Sequence, residues 1–281
     1  MRIDLHTHSS ASDGTDTPGD LVREAAAAGL DVVALTDHDA MSGWTEAQEV
    51  ADKVGITLVP GLEISTRYGH RGVHLLGYLP DPTHPALVRE LDRILEGRTA
   101  RTPAIVGALR AHGIDISEDD VRRESGGSVA AGRPHVADAL ARLGVVRDRT
   151  EAFATLLSPG QPGYVNRYAS ALEEMIPLVV AAGGVAVIAH PWGRGSRSVL
   201  SAEDLAELKD LGLAGIEVDH QDHSAADRAE LRGIATDLDL VVTGSSDHHG
   251  LGKVDHDLGV NTTDPEHYER LLALAGDRLD G

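Results

Sequence analysis

The sequence predicts an α/β fold, a parallel barrel or open parallel sheet interrupted by one all-helical block. Three observations predict it. Short β-rich runs alternate with amphipathic helical patterns over the first hundred residues. That rhythm stops from Pro85 to about Ser158, where only helical periodicity remains, and then resumes. About seven strands can be counted, most of them followed by a helix, and 281 residues suffice for one such domain.

The elements follow in order. Arg2 to Leu5 reads as a strand ending in His6-Thr7-His8. Thr17-Pro18 opens a helix over Leu21 to Ala28, with Thr17 as cap, and Gly29 stops it. Asp31 to Leu35 is a buried strand ending in Thr36-Asp37-His38-Asp39. A helix from Ser42 to Val54 ends at Gly55, and the strand Ile56 to Pro60 leads to Gly61-Leu62-Glu63. Val73 to Leu79 is a strand containing His74. The helical block reads as Ala86 to Leu95, Pro103 to His112, Ser117 to Arg123 and Pro134 to Leu143. A helix over Ala171 to Ala182 then precedes the strand Val185 to Ala189, which ends in His190-Pro191. Helices Ala202 to Leu211 and Ala225 to Leu238 precede strands Gly215 to Val218 and Leu240 to Thr243, the last running into Ser245-Ser246-Asp247-His248-His249. The division this implies is a barrel of residues 1–98 and 164–281 with a helical insertion at 99–163 that contributes to a substrate pocket.

Composition narrows the chemistry. There is no cysteine, so thiolate metal sites, disulfides and cysteine nucleophiles are excluded, and any metal must sit on imidazole and carboxylate. No membrane span and no signal-peptide layout is visible, which makes a cytoplasmic enzyme the expectation. The formal charge of −20 disfavours broad nucleic-acid tracking but allows a small anion held by bound cations.

In parallel β/α folds the site lies at the C-terminal edge of the strands, and this chain places its unusual residues there. They are His6, His8, His38, Glu63, His190, Asp247 and His249, with His74 inside its strand and Asp13 in the first loop. His6 and His8 are two apart on an extended segment, so both rings face one side; Asp247 and His249 repeat the spacing. A carboxylate such as Glu63 has two oxygens and can bridge two cations. A lone strand-end histidine is usually a hydrogen-bonded core or surface residue. So many together would be costly to bury, and metal coordination is the economical explanation. His84, His112, His267, His70 and His256 read as solvated or surface residues. His220 and His223 are ambiguous, and His248 should point away from its neighbours.

Taken together, His6-Thr7-His8-Ser9 with Asp13-Gly14, Thr36-Asp37-His38-Asp39, Gly61-Leu62-Glu63, His74, Ala189-His190-Pro191 and Ser246-Asp247-His248-His249 resemble the polymerase-and-histidinol-phosphatase (PHP) superfamily. The resemblance implies a distorted seven-stranded (β/α)7 barrel and a trinuclear centre. His6, His8, Glu63 and Asp247 would hold the first ion, Glu63, His74 and His190 the second, and Asp13, His38 and His249 the third. Ala131-Gly132-Arg133-Pro134-His135, within the helical block, is similar to the stand-alone phosphoesterase branch, in which Arg133 and His135 would contact substrate phosphate. From the residues alone, Gly132-Arg133-Pro134 is equally a helix start with Arg133 on the surface. Tyr164 and Arg167 are weaker candidates for the same pocket.

The implied activity is hydrolysis of a nucleotide phosphomonoester, a nucleoside 3′,5′-bisphosphate or a monophosphate, by a metal-activated water with two to three Mn, Fe or Zn ions. His135 is the candidate acid for the leaving oxygen. Alternatives are a 5′→3′ exoribonuclease on short RNA, histidinol-phosphate phosphatase, and a metal-stabilised binding module; no stable protein partner is implied. An amidohydrolase built on a carboxylated lysine is disfavoured, because Lys53, Lys209 and Lys253 fall in helices or loops.

Overall fold

Three parallel strands start the sheet: β1 (Ile3–Thr7), β2 (Val32–Leu35) and β3 (Thr57–Tyr68). The computed structural model that shows this describes residues 1–193, 197 and 199–279, with side chains to residue 276. Helices α1 (Pro18–Ala27) and α2 (Trp44–Val54) make the crossovers. The Thr17 hydroxyl accepts the Asp20 N–H to cap α1, and Gly55 closes α2 at φ 79°.

β3 runs well past the Pro60 expected from the sequence and turns at Gly69-His70 directly into β4 (Arg71–Tyr78), which is antiparallel to it. The strand pattern fades after Pro60 because Glu63, Ser65 and Thr66 are polar, yet all three are buried. Then come α7 (Leu172–Ala181), β6 (Val185–Ala189), α8 (Ala202–Asp210), β7 (Leu213–Asp219), α9 (Ala225–Asp237), β8 (Val241–Gly244) and α10 (Pro265–Leu279). The strand order is β1-β2-β3-β4-β6-β7-β8, with the two-residue β5 (Ser170–Ala171) paired to β3. The path is parallel except at β4, which is antiparallel to both neighbours. α10 was not among the sequence-predicted elements.

The sheet curls until its ends meet. Thr7 bridges to His248, and the Thr263 N–H donates to the Ile3 carbonyl at 2.8 Å. Inside the curl, Ile3, Leu5, Ala34, Val59, Leu76 and Val187 form one core with Tyr268 and Leu271 of α10. This is the distorted barrel the resemblance implied.

The helical block consists of α3 (Pro85–Ala111), α4 (Glu118–Ser125), α5 (Arg133–Arg142), α6 (Arg149–Ala152) and a π-helical turn, Phe153–Leu157. The two helices expected over 86–112 are a single helix with Pro103 inside it. Proline removes one backbone donor there, but packing on both sides carries the helix through. Leu87, Leu91 and Ile94 pack on the barrel, while Ile105, Val106 and Leu109 join a separate core with Val121, Val136, Leu140 and Leu157. Among the described residues no helix is long and apolar enough to cross a membrane.

Candidate metal centre

Strand exits aim the polar residues inward, and three of them do so with strained backbone. Asp39, His190 and Asp247, just beyond β2, β6 and β8, have positive φ of 55°, 29° and 53°. For non-glycine residues this left-handed geometry is costly and is kept where a side chain must be re-aimed. It also corrects one expectation. Asp247 and His249 do face a common centre, Oδ1 toward His6 and His8 and Nε2 toward Asp13, but across a left-handed turn and not along an extended strand.

Glu63 is at the middle, with 1% of its surface exposed. Its Oε1 lies 2.5 Å from His74 Nδ1 and 3.2 Å from His190 Nε2. Its Oε2 lies 3.4 Å from His6 Nε2, 3.2 Å from His8 Nε2 and 3.0 Å from His38 Nδ1. The two oxygens therefore serve different sets of imidazoles. Asp247 Oδ1 joins the second set, 3.6 Å from His6 Nε2 and 3.3 Å from His8 Nε2. Asp13 gathers a further group, 3.6 Å from His38 Nε2 and 3.3 Å from His249 Nε2. All nine side chains implied by the resemblance meet here. His8, Asp13, His38 and His249 form one compact donor group, and His6, His8 and Asp247 another.

The donor chemistry fits cations better than it fits a closed hydrogen-bond network. Glu217, fully buried in β7, accepts a hydrogen bond from His6 Nδ1 at 3.1 Å, so the Nε2 lone pair of His6 faces inward. There it stands 3.0 Å from His8 Nε2. His8 Nδ1 is buried without a hydrogen bond, and His38 Nδ1, for all its proximity to Glu63, lacks the angle for one. His249 Nδ1 donates to the Asp247 carbonyl at 2.8 Å, which leaves its Nε2 toward Asp13. Divalent ions on these lone pairs and carboxylates would resolve the mismatch.

Charge within the cluster is strongly perturbed. Burial opposes ionisation of Asp13, Glu63 and Asp247, yet neighbouring imidazoles, and Lys253 at Asp247, hold all three well below the usual carboxylate range. Burial likewise opposes a charged His8, but hydrogen bonds to Asp247 and Glu63 raise it to about 9.

The chain's PHP domain match covers residues 4–170. A 3′,5′-nucleoside bisphosphate phosphatase of Chromobacterium violaceum is 37% identical over 92% of this chain and 90% of its own length. A 5′-3′ exoribonuclease of Haemophilus influenzae is 34% identical over 88% and 90%. A Bifidobacterium adolescentis protein described as a metal-dependent phosphoesterase superposes with a TM-score of 0.92 at 37% identity, covering 97% of this chain and 96% of that one. This chain belongs to the PHP domain family.

As a PHP member it is a metal-dependent phosphoesterase, and several supporting side chains of its centre escaped the sequence reading. Glu217 also accepts the His190 N–H at 2.8 Å, so one carboxylate orients two imidazole-bearing residues. A lone acid inside the apolar run Leu213–Asp219 was the signal that could have revealed it. His220, left ambiguous by the sequence, accepts the Asp222 N–H on Nδ1 and so donates Nε2–H to Asp247 Oδ2 at 3.2 Å. His223 is used up on backbone, with Nδ1 on the Val218 carbonyl and Nε2 on the Trp192 N–H. His256, read as surface, is half-buried with its ring 5.9 Å from that of His220. Lys253 reaches Asp247 Oδ2 from its loop. His248 does point away, toward Asp16.

The helical block touches the centre directly. Arg149 pairs with Asp138 and donates to the Asp13 carbonyl at 3.1 Å, and Ser128 donates to the Ala11 carbonyl at 2.8 Å. Arg133 is the first residue of α5; its guanidinium donates to the Leu157 carbonyl and lies 5.4 Å from the Phe153 ring centroid and 5.6 Å from that of Tyr164. His135 is buried and accepts the Gly132 N–H on Nδ1 at 3.1 Å. Tyr164 donates to Asn166, and Arg167 donates to the Tyr168 carbonyl.

Proposed function

We propose that this enzyme hydrolyses a phosphomonoester of a nucleotide, a nucleoside 3′,5′-bisphosphate or a monophosphate, with two or three divalent ions held by His6, His8, Asp13, His38, Glu63, His74, His190, Asp247 and His249. The observation that carries this reading is the division of labour at Glu63, whose two oxygens face separate imidazole sets, as a carboxylate bridging two cations must. Mn, Fe or Zn, all suited to mixed nitrogen and oxygen donors, would supply at these residues the acidity for a water nucleophile and the positive charge that offsets the phosphate.

The chain's own residues do the rest. Glu217 and His220 fix the orientation of His6, His190 and Asp247. Arg133, held on the Leu157 carbonyl between Phe153 and Tyr164, would supply a guanidinium that forks onto phosphate oxygens and stays charged. Burial pushes the His135 imidazole below its ordinary pKa, although Asp13 pulls the other way, so the ring is neutral near pH 7. With Nδ1 occupied by the Gly132 N–H, its one proton sits on Nε2. His135 would present that Nε2–H to the leaving oxygen as the candidate acid. The segment 99–163 acts as a wall of the substrate pocket, held to the barrel by Arg149 and Ser128.

The similarity to a bisphosphate phosphatase supports the nucleotide class, and the similarity to an exoribonuclease makes short RNA the second candidate. Phosphate release from a panel of nucleotides and short RNAs, with Mn²⁺ and after chelation, tests the reading. Metal-dependent release from a nucleoside bisphosphate or monophosphate is expected. Failure to release phosphate from any nucleotide in the presence of Mn²⁺ would refute it.

A further inference from the structure

Outside the nine-residue centre, three further donors converge where the loop after β8 meets the start of α1. His248 stands between two residues of the centre in sequence, but its ring leaves it. Nδ1–H donates to the His256 carbonyl at 2.9 Å, which turns the Nε2 lone pair the other way, toward Asp16. His248 is 9% exposed, and this Nε2 is buried without a hydrogen bond. Asp16 Oδ2, 3.7 Å away, is also buried without one. A carboxylate oxygen of Glu24, exposed on α1, completes a group whose three donor atoms all lie within 4.8 Å of one another. Among the described residues Glu24 makes no side-chain hydrogen bond or ion pair, and Asp16 faces no lysine or arginine.

The backbone holds these donors in place. The Thr15 N–H donates to the His249 carbonyl at 3.2 Å, and the Leu251 N–H donates to Thr15 Oγ1 at 2.9 Å. These two bonds fix the Asp16 loop against the His248 loop. Between them passes Gly250, at φ 60°, so close that a Cβ there would collide with Asp16 Oδ2. Glycine lets the chain cover that oxygen without hydrogen-bonding it.

Two buried acceptors opposed with no donor between them are a fault unless a cation joins them. Their 3.7 Å gap is wider than the about 2.8 Å of a charge-assisted hydrogen bond. It is close to the separation of two ligand atoms that each sit about 2.0–2.2 Å from one Zn²⁺ ion. We propose that His248, Asp16 and Glu24 form a further divalent-cation site, separate from the catalytic centre, which takes Zn²⁺ and clamps the loop after β8 to α1. One imidazole and two carboxylates suit that ion, and its two charges offset those of the two acids. Asp13 lies on one of the clamped loops and Asp247 and His249 on the other, so the ion supports the centre and takes no part in the reaction.

Zn²⁺ is the probe. Crystals of the holoenzyme soaked in Zn²⁺ should show an anomalous-scattering peak between His248 Nε2 and Asp16 Oδ2. In equilibrium dialysis, His248→Phe and Asp16→Asn should each bind about one Zn²⁺ fewer than wild type. Glu24→Gln, at an exposed helix position, should weaken one equivalent about tenfold or more, as loss of a charged ligand does, and leave Mn²⁺-supported phosphate release as in wild type. The rise in Tm that Zn²⁺ gives wild type should shrink in all three variants. Unchanged Zn²⁺ stoichiometry and affinity in folded Asp16→Asn and Glu24→Gln, or the lack of a peak between these side chains, would overturn the site and leave the nine-residue centre as it stands.

Discussion

The strand-edge centre is buried and rich in acceptors, whereas the arginines of α3 and its neighbours, Arg98 and Arg101 buried with Arg133 and Arg167 half-buried, are rich in donors. In the centre, three carboxylates held in ionised form face imidazole lone pairs, with His8 Nδ1 and His38 Nδ1 buried without a hydrogen bond. Acceptors are in excess there, as a site for divalent ions requires. Among the arginines donors are in excess: Asp39 pairs with Arg98 and its charge also reaches Arg167, while Arg101 Nε is buried without a hydrogen bond. An excess of acceptors in one cluster and of donors in the other is the opposite of what a closed hydrogen-bond network would show.

The comparison can be sharpened on the cation side by Glu217→Gln. This change keeps the shape but removes the charge that fixes His6 and accepts the His190 N–H. Metal affinity should fall by roughly 10- to 100-fold, read by competition with a chelator. An unaltered affinity would mean that the centre does not depend on its buried support.

A smaller effect comes from pH. In the metal-free chain, burial lowers and then Asp247 and Glu63 more than restore the His8 pKa, to about 9. A raised folded-state pKa means that His8 contributes stability fully present below the unfolded value of about 6.5 and lost as pH rises through about 9. Metal must expel that proton, so Mn²⁺ affinity should rise by up to about tenfold per pH unit between pH 7 and 9, with proton release seen in weakly buffered titrations. A pH-independent affinity over that window would break the link between the acids and the imidazoles.

The two regions also differed in how far the sequence revealed them. Strand geometry has a period of two, and strand ends in a parallel fold share one edge, so His6, His8, His38, His190 and Asp247 announced themselves against apolar runs. Glu63 was found although its strand was cut short, because the acid stood where a strand end was expected. Glu217 was passed over, since one acid in an apolar strand reads as an ordinary interruption. The arginines carried no such signal. Arg98 and Arg101 sit at ordinary helical spacing, Arg133 looks like a helix start, and Arg167 lies in irregular chain. Their meeting depends on α3 running unbroken through Pro103, which the sequence does not suggest.

The most direct measurement is elemental analysis of purified wild type beside Glu63→Ala. Wild type should carry about two or more equivalents of Mn, Fe or Zn, and the variant should lose most of that metal along with its turnover. A Glu63→Ala protein that keeps a full complement of ions and normal phosphate release would contradict the account at its centre.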